Sequence, residues 1–153
     1  MPQNLTSLIH QLDELPVHKT EFGEIKVLGG EQVMGFWAKL NAGAHIPAHS
    51  HPNEQITWLL KGRFDYKFGT GEEASCEAGS LVLIPGGVEH EVWYREECEI
   101  VEFFSPPRTD MFPGLENNPY GLVEGEGTGN PLLQHSHQGR CGLRKPHAEP
   151  VEL

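Results

Sequence analysis

Two short stretches of this chain decide its fold and its chemistry. The first, GAHIPAHSHPNEQITWLLKG, runs from Gly43 to Gly62, and the second, GSLVLIPGGVEH, runs from Gly79 to His90. His49 and His51 lie two positions apart, so on one strand both imidazoles leave the same face, which Gln55 can continue. In the second stretch a Pro-Gly-Gly turn is followed by a histidine that opens a new strand. The pattern therefore predicts that three histidines and one amide oxygen converge.

The spacing of these residues resembles the two motifs of the cupin superfamily. The first motif is glycine, five residues, His-x-His, three residues, glutamate, six residues and glycine, and every interval is kept by Gly43, His49, His51, Gln55 and Gly62. The second motif is matched by Gly79, Pro85, Gly87 and His90, with Tyr94 in place of its final asparagine. The resemblance covers roughly residues 33–105. It implies a small antiparallel barrel, or jelly roll, that holds one divalent metal ion on His49, His51, Gln55 and His90.

Glutamine at position 55 departs from the glutamate of the motif. Three neutral imidazoles and a neutral amide leave the charge of a divalent ion uncompensated, whereas a carboxylate would offset part of it. Such a site favours an anionic or enolate ligand and a metal that polarises a carbonyl, carboxylate or hydroxyl. Ligand type alone does not choose among Ni, Mn, Fe, Co and Zn. We interpret His45, on the same odd-numbered face, as a rim residue rather than a fifth ligand.

A third stretch, IVEFFSPPRTD from Ile100 to Asp110, resembles the strand end of small cupins similar to KdgF, which linearise unsaturated uronates. That group has an Asp-x-Phe-x-x-x-Arg pattern and metal ligands of three histidines and a glutamine. Glu102, Phe104 and Arg108 occupy the pattern here, with glutamate replacing aspartate. The resemblance implies that Glu102 shuttles a proton, that Arg108 holds a substrate carboxylate, and that Phe104 contacts the substrate.

Each of these roles has a plainer alternative. Arg108 can instead pair with Asp110 on the surface, and Glu102 can be an exposed carboxylate at a sheet edge. Phe104 is also a candidate core residue. Tyr94, four residues after His90, is a second candidate proton donor and the last catalytic candidate.

Composition limits the classes of function. The chain has 153 residues, 11 Lys and Arg against 22 Asp and Glu, and a formal charge of −11. This charge repels nucleic acid and anionic membranes, so we expect neither as a partner. Three well-separated cysteines, without a Cys-x-x-Cys pair, favour a reducing compartment, and the start of the chain has no secretory pattern. We expect a soluble cytoplasmic protein that acts on a small-molecule anion.

Turn signals recur every eight to twelve residues from Glu24 onward, which is typical of an all-β fold. Strands are expected at 24–28, 33–40, 55–60, 63–68, 80–84, 91–94 and 99–104. Leu5, Leu8, Ile9 and Leu12 have helical spacing and predict one short N-terminal helix. We divide the chain into residues 1–30 (helix and leading strand), 31–110 (cupin barrel) and 111–153 (an irregular tail that packs on the barrel or on a partner subunit).

The sequence favours a metal-dependent cupin enzyme that acts by proton transfer or hydration, with ring opening of unsaturated uronates as the reaction implied by the KdgF resemblance. One alternative is a dioxygenase that uses Fe or Mn at the same ligands. Another is a binding module for a sugar or small acid. Small cupins of this type commonly pair through their outer strands, so we expect a homodimer. The His135-x-His137 pair in the tail is interpreted as solvated or as a subunit contact.

Overall fold

The structure is a computed structural model that describes residues 5–111. Two 3-10 turns, Leu5–Leu8 and Leu12–Glu14, precede the strands. The described strands are β1 His18–Thr20, β2 Gly23–Gly29, β3 Met34–Leu40, β4 His45–His49, β5 Glu54–Lys61, β6 Arg63–Phe68, β7 Glu73–Glu77, β8 Leu81–Ile84, β9 His90–Tyr94 and β10 Cys98–Ser105. No helix among these residues is long and apolar enough to cross a membrane.

The strands form two antiparallel sheets that enclose the core. The larger sheet has the order β1-β2-β3-β10-β5-β8, and the smaller has the order β4-β9-β6-β7. Residues of β10 alternate between buried and more exposed positions, so Ile100, Glu102 and Phe104 face inward. The side chains of β6 follow the same rule, with Phe64 and Tyr66 almost completely buried. This inward alternation within two antiparallel sheets confirms the all-β fold expected from the sequence.

The central pairing of the larger sheet positions most of the polar residues discussed below. Strand β10 lies between β3 and β5, with Glu102 opposite Thr57 and Phe104 opposite Gln55. Two strands therefore place four inward side chains side by side on the interior wall. Position 102 lies on an interior strand and is buried, so the alternative of an exposed edge carboxylate is wrong.

The strand predictions agree closely with the structure, which adds three strands that the turn pattern did not reveal: His18–Thr20, His45–His49 and Glu73–Glu77. The predicted N-terminal helix takes the form of the two 3-10 turns, interrupted at residues 9–11. Proline at position 16 leaves little length for a stable α-helix. The tail lies outside the described residues apart from its first residue, Met111, which is buried against the core.

Glycine is required where β5 passes into β6. Gly62 has φ of +91°, and an added Cβ would lie 2.5 Å from the carbonyl oxygen of Glu97. Gly71 has a nearly identical φ of +90° but no heavy atom within 4 Å of such a Cβ. Comparing an alanine substitution at each of the two glycines therefore separates the cost of backbone strain from the cost of steric overlap.

We predict that Gly71→Ala lowers the free energy of unfolding by about 1 kcal/mol, the usual cost of a left-handed alanine. Gly62→Ala incurs the same strain plus the overlap with Glu97, and its loss should be about 3 kcal/mol or more. Urea denaturation of both variants measures the difference. Equal losses in the two variants would contradict the steric argument.

Candidate metal centre

Three histidines form a compact cluster inside the barrel. Their nearest ring nitrogens, one from each of His49, His51 and His90, lie within 4.8 Å of one another. His49 ends β4 and His90 begins β9, and the two residues are paired in register. Their ring centroids are 4.3 Å apart. The cluster confirms that these three predicted ligands converge.

His51 reaches the cluster by a different route from the one the spacing suggested. Strand β4 ends at His49, so His51 lies in the connection to β5 rather than on the same strand face. Its carbonyl oxygen accepts a 2.7 Å hydrogen bond from Gly87 N in the Pro-Gly-Gly turn. A Cβ at Gly86 would lie 2.3 Å from the Pro52 carbonyl oxygen. The two glycines of this turn, Gly86 and Gly87, thus allow it to hold His51 in place.

Backbone carbonyls fix the tautomer of all three rings. The Nδ1 atoms of His49, His51 and His90 lie 2.8, 2.9 and 2.9 Å from the carbonyl oxygens of Pro47, Asn53 and Val88 respectively. A carbonyl oxygen only accepts, so each Nδ1 carries the proton and donates it. The Nε2 lone pairs are therefore available to a metal, and the carbonyls act as the outer partners typical of metal-bound histidines.

Burial keeps the three imidazoles neutral. It lowers the pKa of His51 to about 3 and that of His90 to about 3. Burial also lowers the pKa of His49, although the bond to the Pro47 carbonyl opposes the shift. The charge of Arg108 and the neighbouring histidines add to the lowering at His51 and His90. A neutral histidine is the form that binds metals.

The environment of the Nε2 atoms fits a cation. Gln55 Oε1 lies 2.9 Å from His51 Nε2. Because His51 Nδ1 holds the ring proton, this contact brings two lone pairs together. Adjacent ligands of an octahedral ion with bonds of about 2.1 Å lie about 3 Å apart, so one ion shared by the two residues would account for the distance. His90 Nε2 is buried and, among the described residues, has no hydrogen-bond partner.

Glu102 lies beside the cluster. Its Oε1 accepts hydrogen bonds from Thr57 Oγ1 at 2.8 Å and from Gln55 Nε2 at 3.1 Å. Burial raises the pKa of this carboxyl to about 7, although Thr57, Arg108 and Gln55 all oppose the shift. A group with a pKa near 7 can both accept and release a proton at neutral pH.

Arg108 is buried rather than on the surface, with 1% of the residue exposed. Its Nε and Nη2 atoms donate to the two carboxylate oxygens of Asp110, each at 2.9 Å. The guanidinium carbon lies 5.4 Å from the centre of the Phe104 ring. The predicted pairing with Asp110 is present, and the arginine also lines the interior cavity. The surface position of the plainer interpretation is therefore wrong, and the binding of a substrate carboxylate by Arg108 stays a prediction.

One cavity of about 40 Å³ joins these groups. Its polar wall includes His49, Gln55, His90, Tyr94, Glu102 and Arg108. Phe104 contributes to the apolar wall, as does Tyr66. Burial raises the pKa of Tyr94 well above its ordinary value, with the nearby Glu102 charge adding to the shift. Tyr94 therefore remains protonated at neutral pH.

His45 lies away from the three-histidine cluster. Its Nε2 atom is 2.6 Å from Glu91 Oε1, and its ring stacks on Trp93. The side chain is 41% exposed. This position agrees with a rim residue.

Comparisons with known proteins agree with this geometry. A family model described as "Cupin domain" matches residues 36–104. Those residues form a cupin domain. The cupin barrel is the frame that supplies the histidines from β4, the following connection and β9. No curated protein sequence matches the chain.

Among solved structures, KdgF from Halomonas sp. superposes with a TM-score of 0.60 at 25% identity, covering 65% of this chain and 93% of that one. An RmlC-like cupin from Shewanella frigidimarina NCIMB 400 gives 0.62 at 20% identity, covering 66% and 92%. Oxalate decarboxylase from Lactobacillus farciminis, in a formate complex, gives 0.59 at 18% identity, covering 67% of this chain and 33% of that one. The last two show a shared fold.

Three polar residues of the site had no role assigned from the sequence. Thr57 bridges Gln55 and Glu102, and its alternation with Gln55 already placed it on the same face of β5. Asn53 donates from Nδ2 to the Pro106 carbonyl oxygen at 2.5 Å, which ties the first motif to the segment that carries Arg108. Tyr66 looked like a core aromatic residue, and only the structure shows its hydroxyl near Thr57.

We predict that purified protein binds about one equivalent of a divalent metal and that His90→Ala loses it, because each histidine supplies a directed lone pair. Elemental analysis and calorimetric titration measure this. His45→Ala is the matched control and should retain the metal. Retention of wild-type affinity by His90→Ala would contradict the assigned ligand set.

Proposed function

We propose that this protein is a metal-dependent enzyme that moves a proton on a small, oxygen-rich anion, with ring opening of an unsaturated uronate as the reaction. The observation that carries the proposal is the buried Glu102 carboxyl, held beside Gln55 and the histidines in the cavity that Arg108 also lines. The structural likeness to KdgF from Halomonas sp. supports this choice of substrate class.

Each residue of the site has a separate role in the proposed reaction. His49, His51, Gln55 and His90 would hold a divalent ion, whose identity among Ni, Mn, Fe, Co and Zn stays open. The ion supplies Lewis acidity toward substrate oxygens. Arg108 binds the substrate carboxylate through its planar fork of donors. This binding requires the Asp110 carboxylate to move away from the Arg108 guanidinium.

Glu102 carries the proton in this scheme. It removes the proton of the anomeric hydroxyl, the bond between C1 and the ring oxygen breaks, and the resulting enolate takes up a proton at C4. The net change is an isomerisation, because one proton is removed and one is returned. A hydrogen-bonded carboxyl with a pKa of about 7 suits both steps. Tyr94 is the second candidate donor for the final protonation, and Phe104 packs against the substrate.

The cavity limits how the substrate enters. Its volume of about 40 Å³ is well below that of pockets that enclose a whole small molecule, which are roughly 300 Å³ or more. Arg108 and Met111 both form part of its wall. A uronate ring therefore requires the segment from Arg108 to Met111 to move outward. Exchange of Asp110 for the substrate carboxylate would accompany that movement.

We predict that Glu102→Gln lowers turnover of unsaturated monouronates by about 10²–10⁴-fold, because an amide keeps the shape of the carboxyl but cannot carry the proton. Arg108→Met should chiefly raise KM, since it removes carboxylate binding. Steady-state kinetics with absorbance at the ring double bond measures both. Glu73→Gln, at an exposed position on β7 outside the cavity, is the control.

Oxygen uptake distinguishes the dioxygenase alternative, because the isomerisation consumes none. Turnover of a chelating enediol with stoichiometric oxygen uptake would contradict the proposal. Saturable uronate binding without any product would favour the binding module. Undiminished turnover by Glu102→Gln would remove this residue from the reaction.

We propose also that the protein is a cytoplasmic homodimer. Cys76 and Cys98 are both free thiols, which agrees with a reducing compartment. The outer side of the larger sheet supports the dimer, because large apolar side chains over β10, β5 and β8 are 36–66% exposed. We call these residues the apolar face; they are Ile56, Trp58, Leu81, Leu83 and Phe103.

The apolar face is continuous in register and fits a second copy of this chain. Leu83 pairs across the strands with Ile56, which pairs with Phe103. The five side chains expose on the order of 500 Å² of apolar surface, in the upper part of the range for the largest patch on a monomer, and in this proposal they form the apolar centre of the dimer interface. The Lys61 and Glu99 side chains, 3.1 Å apart, border it and offer one charge of each sign to a copy related by a two-fold axis.

We predict that the full chain has twice the mass of a 17.0 kDa monomer in light scattering and that Trp58→Glu yields the monomer. A buried unpaired carboxylate at the interface is strongly unfavourable. Ile9→Glu changes an equally apolar residue that is 70% exposed and lies off the sheet, and it should leave the mass unchanged. A wild-type monomer at every concentration would contradict this proposal.

A further inference from the structure

Thr57 occupies a central position in the hydrogen-bond network of the site. Its side chain is fully buried on β5. The Oγ1 atom lies 2.8 Å from Glu102 Oε1, 2.9 Å from Gln55 Nε2 and 3.4 Å from the hydroxyl oxygen of Tyr66. One short side chain therefore touches both a candidate metal ligand and the candidate proton carrier.

The directions of these bonds follow from counting protons. A carboxylate oxygen only accepts, so the single hydroxyl proton of Thr57 goes to Glu102. The hydroxyl oxygen then accepts one N–H of Gln55, and Glu102 Oε1 accepts from the same amide nitrogen. Both N–H groups of the Gln55 amide therefore donate hydrogen bonds toward Thr57 and Glu102. Gln55 Oε1 must point the other way, toward His51 Nε2.

The opposite amide orientation would be favourable for an isolated pair. With the amide turned by 180°, Gln55 would donate to the lone pair on His51 Nε2, and both atoms would be satisfied without any metal. Thr57 and Glu102 oppose that arrangement, because the amide oxygen would then face the Glu102 carboxylate oxygen and a Thr57 hydroxyl oxygen whose proton is already given to Glu102. The network thus keeps the oxygen of Gln55, rather than its nitrogen, directed at the histidines.

We infer that Thr57 is a positioning residue, whose single hydroxyl holds the Gln55 amide with its oxygen directed at the histidine cluster and holds the Glu102 carboxylate beside it. The inference rests on the metal-dependent function proposed above, but it concerns how the site is built rather than which substrate it takes. Thr57 itself binds neither the substrate nor the metal ion in this scheme. Its effect passes through Gln55 and Glu102.

The test is a Co²⁺ titration of the full chain, followed by calorimetry and by the visible absorption of the bound ion. Thr57→Val keeps the shape of the side chain and removes the hydroxyl, so its affinity for Co²⁺ should fall by about 10–100-fold, with a changed absorption spectrum. Thr57→Ser keeps the hydroxyl and should stay within about threefold of the wild type. Rescue by serine identifies the hydroxyl, rather than packing, as the cause.

Thr20→Val is the matched control. The Thr20 hydroxyl bonds to the backbone of Phe22 and Gly23 in a turn remote from the cluster. This variant should lower the melting temperature and leave the Co²⁺ affinity unchanged. If Thr57→Val fails to fold, Thr57→Ala removes the same hydroxyl without a new methyl group next to Glu102, and its titration is interpreted in the same way.

Wild-type affinity and spectrum in the folded hydroxyl-free variant would overturn the inference, as would a Thr57→Ser variant as weak as Thr57→Val. A wild-type protein that binds no Co²⁺ would overturn it together with the metal site. A wild-type protein that binds Co²⁺ and shows these differences, yet opens no uronate, would contradict only the proposed reaction. The metal titration therefore separates the two failures.

Discussion

The antiparallel pairing of β5 with β10 is the constraint on which the rest of the site depends. It places Thr57 opposite Glu102 and Gln55 opposite Phe104 on the interior wall of the barrel. A shift of β5 by one residue against β10 would turn Gln55 and Thr57 outward and bring Ile56 and Trp58 of the apolar face inward. The same alternation thus defines the polar interior and the exposed apolar surface. Any disturbance of this strand pair is expected to affect both.

Burying so many polar groups is favourable only because they satisfy one another. The Nδ1 atoms of the three histidines donate to backbone carbonyls, and the Gln55 amide donates to Thr57 and Glu102. Unpaired, each buried group would cost about 1–3 kcal/mol. What remains after this pairing is a set of lone pairs that face each other. Such a set is stable around a cation and unfavourable without one, which is why the arrangement itself indicates a metal.

The sequence predicted the barrel and the convergence of the three histidines well, because both depend on local spacing. The intervals from Gly43 to Gly62 and from Gly79 to His90 preserve the turns that bring distant strands together. Strand alternation explained His49 correctly, but not His51, whose position depends on contact with the Pro85–Gly87 turn. Long-range contacts of this kind leave no periodic pattern. The joint role of Thr57 and the burial of Arg108 behind Asp110 were hidden for the same reason.

Glutamine at position 55 takes on a further meaning once its neighbours are known. A glutamate there would place a carboxylate directly beside Glu102, and neither group would have a proton to donate to the other unless one became neutral. The amide avoids this conflict, since it offers an oxygen to the histidine cluster and a nitrogen to Glu102. The negative charge of the glutamate in the cupin motif is therefore carried here one strand away from position 55, at position 102. There the carboxylate can gain and lose a proton without altering the candidate metal ligands.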